Sequence, residues 1–214
     1  MLNKFLTALT IGAMASTATA TVNNVSFSQV DNSSALSGHI TNDIAIDYTG
    51  QWDGSQLILS LTSGGIYQDN AGSDTAPNAA FFGFVPTLEF DTFITGGALV
   101  QGGITPGTAG GAVNLGGNPG ATFSTSAIDI AWFPPGGSSG ITNQTGFTVA
   151  RITLTDDATG TFKFLASDGE IATWEDGVIA NGVLGLGVVP EPASLMLLGI
   201  GGLGALARRR TAKS

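Results

Sequence analysis

The sequence predicts an all-β protein: an antiparallel β-sandwich or jelly roll set between an N-terminal signal peptide and a short C-terminal transmembrane helix. Three observations predict the body. Apolar and polar residues alternate in short runs, the period-two pattern of half-buried strands. Gly, Asn, Asp and Pro punctuate those runs at short intervals. No stretch between residues 21 and 183 sustains the 3.6-residue period of an amphipathic helix. The 214 residues suit one domain, and 43% of them are hydrophobic, enough for a packed core. Only 11% are charged, against roughly 25% in ordinary soluble proteins, which argues against a coiled coil or a charge-rich disordered tail. The 32 glycines follow no three-residue period, so the chain is not collagen-like. The absence of cysteine removes disulfides, thiol catalysis and thiolate metal sites, and a single histidine leaves little room for zinc chemistry.

Residues 1–20, MLNKFLTALTIGAMASTATA, have the physics of an export signal. Lys4 supplies the positive start, a short apolar stretch follows, and Ala18-Thr19-Ala20 fits the small-x-small cleavage pattern. The apolar stretch is too short to span a ~30 Å hydrocarbon core. Thr21 is the expected mature start.

Residues 21–182 form the expected sandwich domain. Ile44, Ile46 and Tyr48 alternate with Ala45, Asp47 and Thr49. Leu57, Leu59 and Leu61, then Ile128, Ile130 and Trp132, then Phe162, Phe164 and Ala166, repeat the pattern. Phe147 and Val149 keep one phase while Ala150, Ile152 and Leu154 keep the other, so a β-bulge is expected between them. Residues 102–120 are rich in glycine and read as a long surface loop. The many short strands with turn signals point to a sandwich rather than a parallel α/β fold. Residues 147–166, FTVARITLTDDATGTFKFLA, resemble the late strands of cohesin-like sandwiches.

Charge is unevenly placed. The whole chain carries 7 basic and 16 acidic residues. Between residues 21 and 189 only Arg151 and Lys163 are basic, against 15 acids, a formal charge of −13. Such a body repels phosphate backbones, and no nucleic-acid partner is expected.

Residues 183–214 form the expected tail: a linker, a hydrophobic helix and a basic end. Val189-Pro190-Glu191-Pro192 blocks a helix from extending backwards. Residues 193–207, ASLMLLGIGGLGALA, are almost wholly apolar and would make a helix of about 22 Å, short for a ~30 Å core. Arg208, Arg209 and Arg210 follow and favour the cytoplasmic side. In that order, motif, apolar span and basic cluster resemble the PEP-CTERM sorting signal of exosortase substrates. The resemblance implies an inner-membrane intermediate held by the C-terminal helix. It further implies processing near Pro190 and Pro192 by an exosortase-type enzyme, and delivery to the cell surface or an extracellular polysaccharide matrix.

Two tempting motifs fail on context. Gly199-Ile200-Gly201-Gly202-Leu203-Gly204 matches a dinucleotide fingerprint but sits inside the apolar tail. Gly136-Gly137-Ser138-Ser139-Gly140 matches a nucleophile elbow, yet the hydrolase order needs a downstream histidine and His39 lies upstream.

Binding candidates are few. Trp52, beside Asp53-Gly54, and Trp174, beside Glu175-Asp176, are candidate sugar-stacking residues; Trp132 reads as core. Asp156 and Asp157, with Asp168 and Glu170, are candidate calcium ligands in turns, although turn-forming Asp explains them more simply. No catalytic residues and no cofactor beyond a structural calcium are expected. The leading expectation is a non-enzymatic exported surface or matrix protein. The alternatives are a carbohydrate-binding module or a carboxylate-based glycan-active enzyme.

Overall fold

The computed structural model describes residues 21–108, 122–135, 141–167 and 172–187. The expected leader at 1–20 and hydrophobic helix at 193–207 lie outside the described residues. Among the described residues no helix is long and apolar enough to cross a membrane; the helical elements are two 3-10 turns, Ala79–Phe81 and Pro86–Phe90.

The described residues form eleven strands, in order: β1 (Thr21–Val30), β2 (His39–Gln51), β3 (Gly54–Ser63), β4 (Phe93–Ile94), β5 (Gly107–Thr108), β6 (Thr122–Phe123), β7 (Ala127–Phe133), β8 (Thr142–Thr155), β9 (Thr159–Ser167), β10 (Ala172–Ala180) and β11 (Val183–Leu186). They form a four-stranded sheet, β1-β2-β8-β4, and a seven-stranded sheet, β11-β10-β9-β3-β7-β5, with β6 also paired to β7. All strand pairings are antiparallel. The expected all-β, sandwich-like body is therefore present.

The core lies between the sheets because alternation sends one side of each strand inward. Ile44, Ile46, Tyr48, Ile152 and Leu154 from the smaller sheet meet Leu57, Leu59, Ile130, Trp132 and Phe164 from the larger one. The Tyr48 phenol is held inside with its hydroxyl donating to the Ile141 carbonyl at 3.3 Å, and burial pushes its pKa up to about 12. The phase break in β8 is a bulge as expected: Ile44 pairs with Ala150 but Ala45 pairs with Thr148, leaving Val149 extra.

Two expectations need correction. The sandwich does not end at residue 182. β11 pairs with β10, and Asn42 of β2 reaches it: its amide donates to the Gly182 carbonyl at 2.9 Å and accepts from the Leu184 N–H at 3.1 Å. A two-residue turn joins the hairpin, with Asn181 and Gly182 both at positive φ (52° and 75°), the geometry that Asn-Gly favours. The glycine-rich segment from 102 is also not wholly loop, since Gly107 and Thr108 pair with Phe133 and Trp132; residues 109–121 lie outside the described residues.

A long excursion between β3 and β7 covers the outer face of the smaller sheet. Leu88, Phe90 and Phe93 are buried there, apart from the main core. Consequently Thr41, Asp43, Arg151 and Thr153 are buried too, although alternation points them away from the other sheet.

Candidate functional site

The chemistry-bearing residues fall into four groups. The first is the pair of candidate tryptophans. Trp52 lies at the corner where the chain leaves the smaller sheet for the larger one. A residue at such a corner points between the layers, and Trp52 is only 1% exposed. Its ring packs against Phe147 with centroids 5.2 Å apart, and its Nε1 donates to Ser55 Oγ at 3.2 Å. It presents no face to a sugar ring, which corrects the expectation of an exposed stacking residue. Trp132 is core, as expected, also at 1%. The Trp174 backbone pairs with Leu165 in β10 and β9; its side chain lies outside the described residues.

The second group is the candidate calcium ligands. Asp156 and Asp157 are exposed in the turn between β8 and β9. One Asp157 oxygen accepts from Thr155 Oγ1 at 2.6 Å, the local bond expected of a turn aspartate. Asp168 and Glu170 lie outside the described residues. Among the described residues no three acids or histidines gather as a metal site. Asp156 also borders an open hollow of about 610 Å³ that Asp31, Asn32, Ser33 and His39 help to line. There Asp31 accepts from the Ser33 hydroxyl and backbone N–H, and these bonds lower its pKa.

The third group was invisible in the sequence. Asp91, which ends the Pro86–Phe90 turn, is fully buried. Its Oδ1 accepts from the backbone N–H of Asp69 at 2.7 Å and of Thr92 at 2.9 Å. Its Oδ2 accepts from Gln68 Nε2 at 3.1 Å and the Ser73 N–H at 3.2 Å. Burial pushes the Asp91 carboxyl up to about 7, against the pull of those amide donors. For Asp69, burial also raises the pKa, but the Thr87 hydroxyl, the Ala71 N–H and the Tyr67 hydroxyl outweigh it and leave it below the ordinary value. Gly72 lets the loop close on this carboxylate: a Cβ there would stand 1.7 Å from Asp91 Oδ2.

Two neighbouring carboxyls with pKa values pushed apart are the usual form of an acid and base pair. Here the geometry does something else. Both Asp91 oxygens are filled by four protein donors, and the group has no exposed surface. It ties residues 68–73 to the end of the 3-10 turn. Residues 22 apart in sequence, joined by a local loop, carry no spacing signature that could have announced this.

The fourth group is the sorting element. Residues 188–210 match the model of the PEP-CTERM protein-sorting motif. The matched span contains Val189, Pro190, Glu191 and Pro192 and also Arg208, Arg209 and Arg210, and it lies outside the described residues. Such a motif implies processing by an exosortase and export through the membrane to the cell surface. No curated protein and no solved structure matches the chain.

Proposed function

We propose that this is a non-enzymatic surface protein whose β-sandwich is exported, held at the membrane by residues 193–207, and cut near Pro190 and Pro192 by an exosortase-type enzyme. The mature body then joins the cell surface or an extracellular polysaccharide matrix. The observation that carries this reading is the sorting motif at 188–210.

The fold supports it in one further way. β11 ends at Leu186, and the last described backbone bond runs from the Gly187 N–H to the Asp176 carbonyl. The prolines therefore begin only three residues beyond the last described hydrogen-bonded residue, and cutting there removes none of the described strands. The non-enzymatic part rests on the engagement of Asp91 and Asp69 by protein donors rather than on any accessible acid and base pair. For a glycan ligand, Trp174 is the remaining aromatic candidate, and a structural calcium would have to draw on Asp156, Asp157, Asp168 and Glu170.

The test is removal of residues 188–214 from the exported protein, followed by cell fractionation. The body should leave the cell-surface fraction and appear as folded soluble protein. Retention at the surface at the wild-type level would overturn the reading.

A further inference from the structure

The four edges of the two sheets are managed unequally. The larger sheet ends in the four-residue β11 on one side and the two-residue β5 and β6 on the other. The smaller sheet ends in the two-residue β4 on one side. Very short edge strands are one of the ways proteins prevent sheets from pairing edge to edge. The remaining edge, β1, is ten residues long.

Among the described residues β1 has little of the other protection. Its sequence, TVNNVSFSQV, has no charge and no proline, and its one bulge lies near the start, between Val22 and Asn24. Beyond its ladder with β2, no backbone hydrogen bond is formed by residues 22–30 among the described residues. Alternate N–H and C=O groups of an edge strand face away from its neighbour. The strand is anchored from behind, with Val25 buried and the Phe27 ring edge-on to Phe162 at 5.0 Å, so it is a firm template.

We propose that β1 is an assembly edge, and that a second copy of this chain adds its own β1 antiparallel to it, joining two four-stranded sheets into one. Charge selects this partner. A body with a formal charge of −13 over residues 21–189 repels its own copies over most approaches, whereas this edge lets two copies meet through Asn, Ser and Gln without opposing ionised groups. An isologous pair about a two-fold axis is self-complementary for such a strand. The inference is independent of how the protein is sorted.

Ser26 and Ser28 are both exposed. Whether the axis passes through Ser26 or Phe27, changing both places like charges opposite each other. The experiment measures the protein mass of the full chain in detergent by light scattering. It compares wild type, the double variant S26K/S28K, the double variant S26E/S28E, and an equal mixture of the two variants. The wild type should be dimeric, each variant alone should have half that mass, and the mixture should regain the dimer mass through Lys-to-Glu pairing. A monomeric wild type would overturn the proposal. So would a dimer that both variants keep, since association would then run through another surface, such as exposed Phe81 and Phe84. Failure of the mixture to recover would also overturn it, because the variants would then have damaged the fold rather than the contact.

Discussion

The two sheets solve different problems with the same kind of strand. In the larger sheet, β3 and β9 keep one face in the core and leave the other partly wet: Leu57 and Leu59 are buried, while Ser60, Thr161 and Lys163 are exposed. In the smaller sheet, β2 is buried without a break from Thr41 to Ile46, and β8 from Val149 to Leu154. The cause is the excursion between β3 and β7, which covers the second face. Covering a face that alternation had made polar requires every polar group there to find a partner. Arg151 donates to both oxygens of Asp43, at 2.7 and 2.8 Å, and to the Glu89 carbonyl at 2.7 Å. Thr41 and Thr153 share a hydroxyl bond at 2.9 Å, with Asn32 donating to Thr41. The covered face is thus held by paired polar groups, and the wet face of the larger sheet has no need of them.

The largest expected effect breaks the covered face. Arg151→Ala leaves the Asp43 carboxylate buried without its guanidinium, and the loss of stability should be about 3–5 kcal/mol by denaturant melts. The double variant D43L/R151M replaces the ion pair with apolar groups and should recover most of that loss. A single variant within about 1 kcal/mol of wild type would mean that the excursion does not seal this face.

Next in size is the pH response of Asp91, which belongs to the same excursion. Its folded-state pKa, raised by burial to about 7, lies above that of an unfolded aspartate, about 3.9. The stabilisation linked to this proton is complete below the unfolded value and is lost as pH rises through about 7. Between those limits stability should therefore increase on acidification, with a slope no steeper than ~1.4 kcal/mol per pH unit for one proton. Asp91→Asn should be less stable throughout, because its amide faces the Gln68 and Ser73 donors, and it should lack this slope. Equal slopes in both proteins, measured as melting temperature against pH, would assign the titration to other groups.

The same contrast explains what the sequence showed. β3, β7 and β9 were legible because one wet face preserves the alternation, and the bulge at Val149 was legible because a phase break is a local event. Trp52 misled because a neighbouring Asp-Gly suggests an exposed turn, whereas the chain there crosses between layers. The excursion has no period at all, so neither its burial of Arg151 nor the engagement of Asp91 could be seen. The β10 to β11 hairpin does carry a signal in Asn181-Gly182, but the residues that follow, rich in Gly and Val, resemble a linker to the tail and mask it. The sorting motif was the most legible element, because it depends on composition and order rather than on tertiary contacts.

The smallest expected effect sharpens the comparison from the wet side. Lys163 Nζ and Asp176 Oδ1 lie 3.1 Å apart across β9 and β10, with side chains 61% and 71% exposed. In residue type and sheet position this pair parallels Arg151 and Asp43: each joins one basic and one acidic residue on adjacent antiparallel strands. What differs is water. Solvent screens the exposed pair, and ordering two mobile side chains offsets much of the attraction. Lys163→Ala should therefore change stability by less than about 1 kcal/mol, and added salt should shrink even that difference. A loss as large as that of Arg151→Ala would mean that the outer face of the larger sheet is covered in solution, and the distinction between a sealed and a wet sheet would fail.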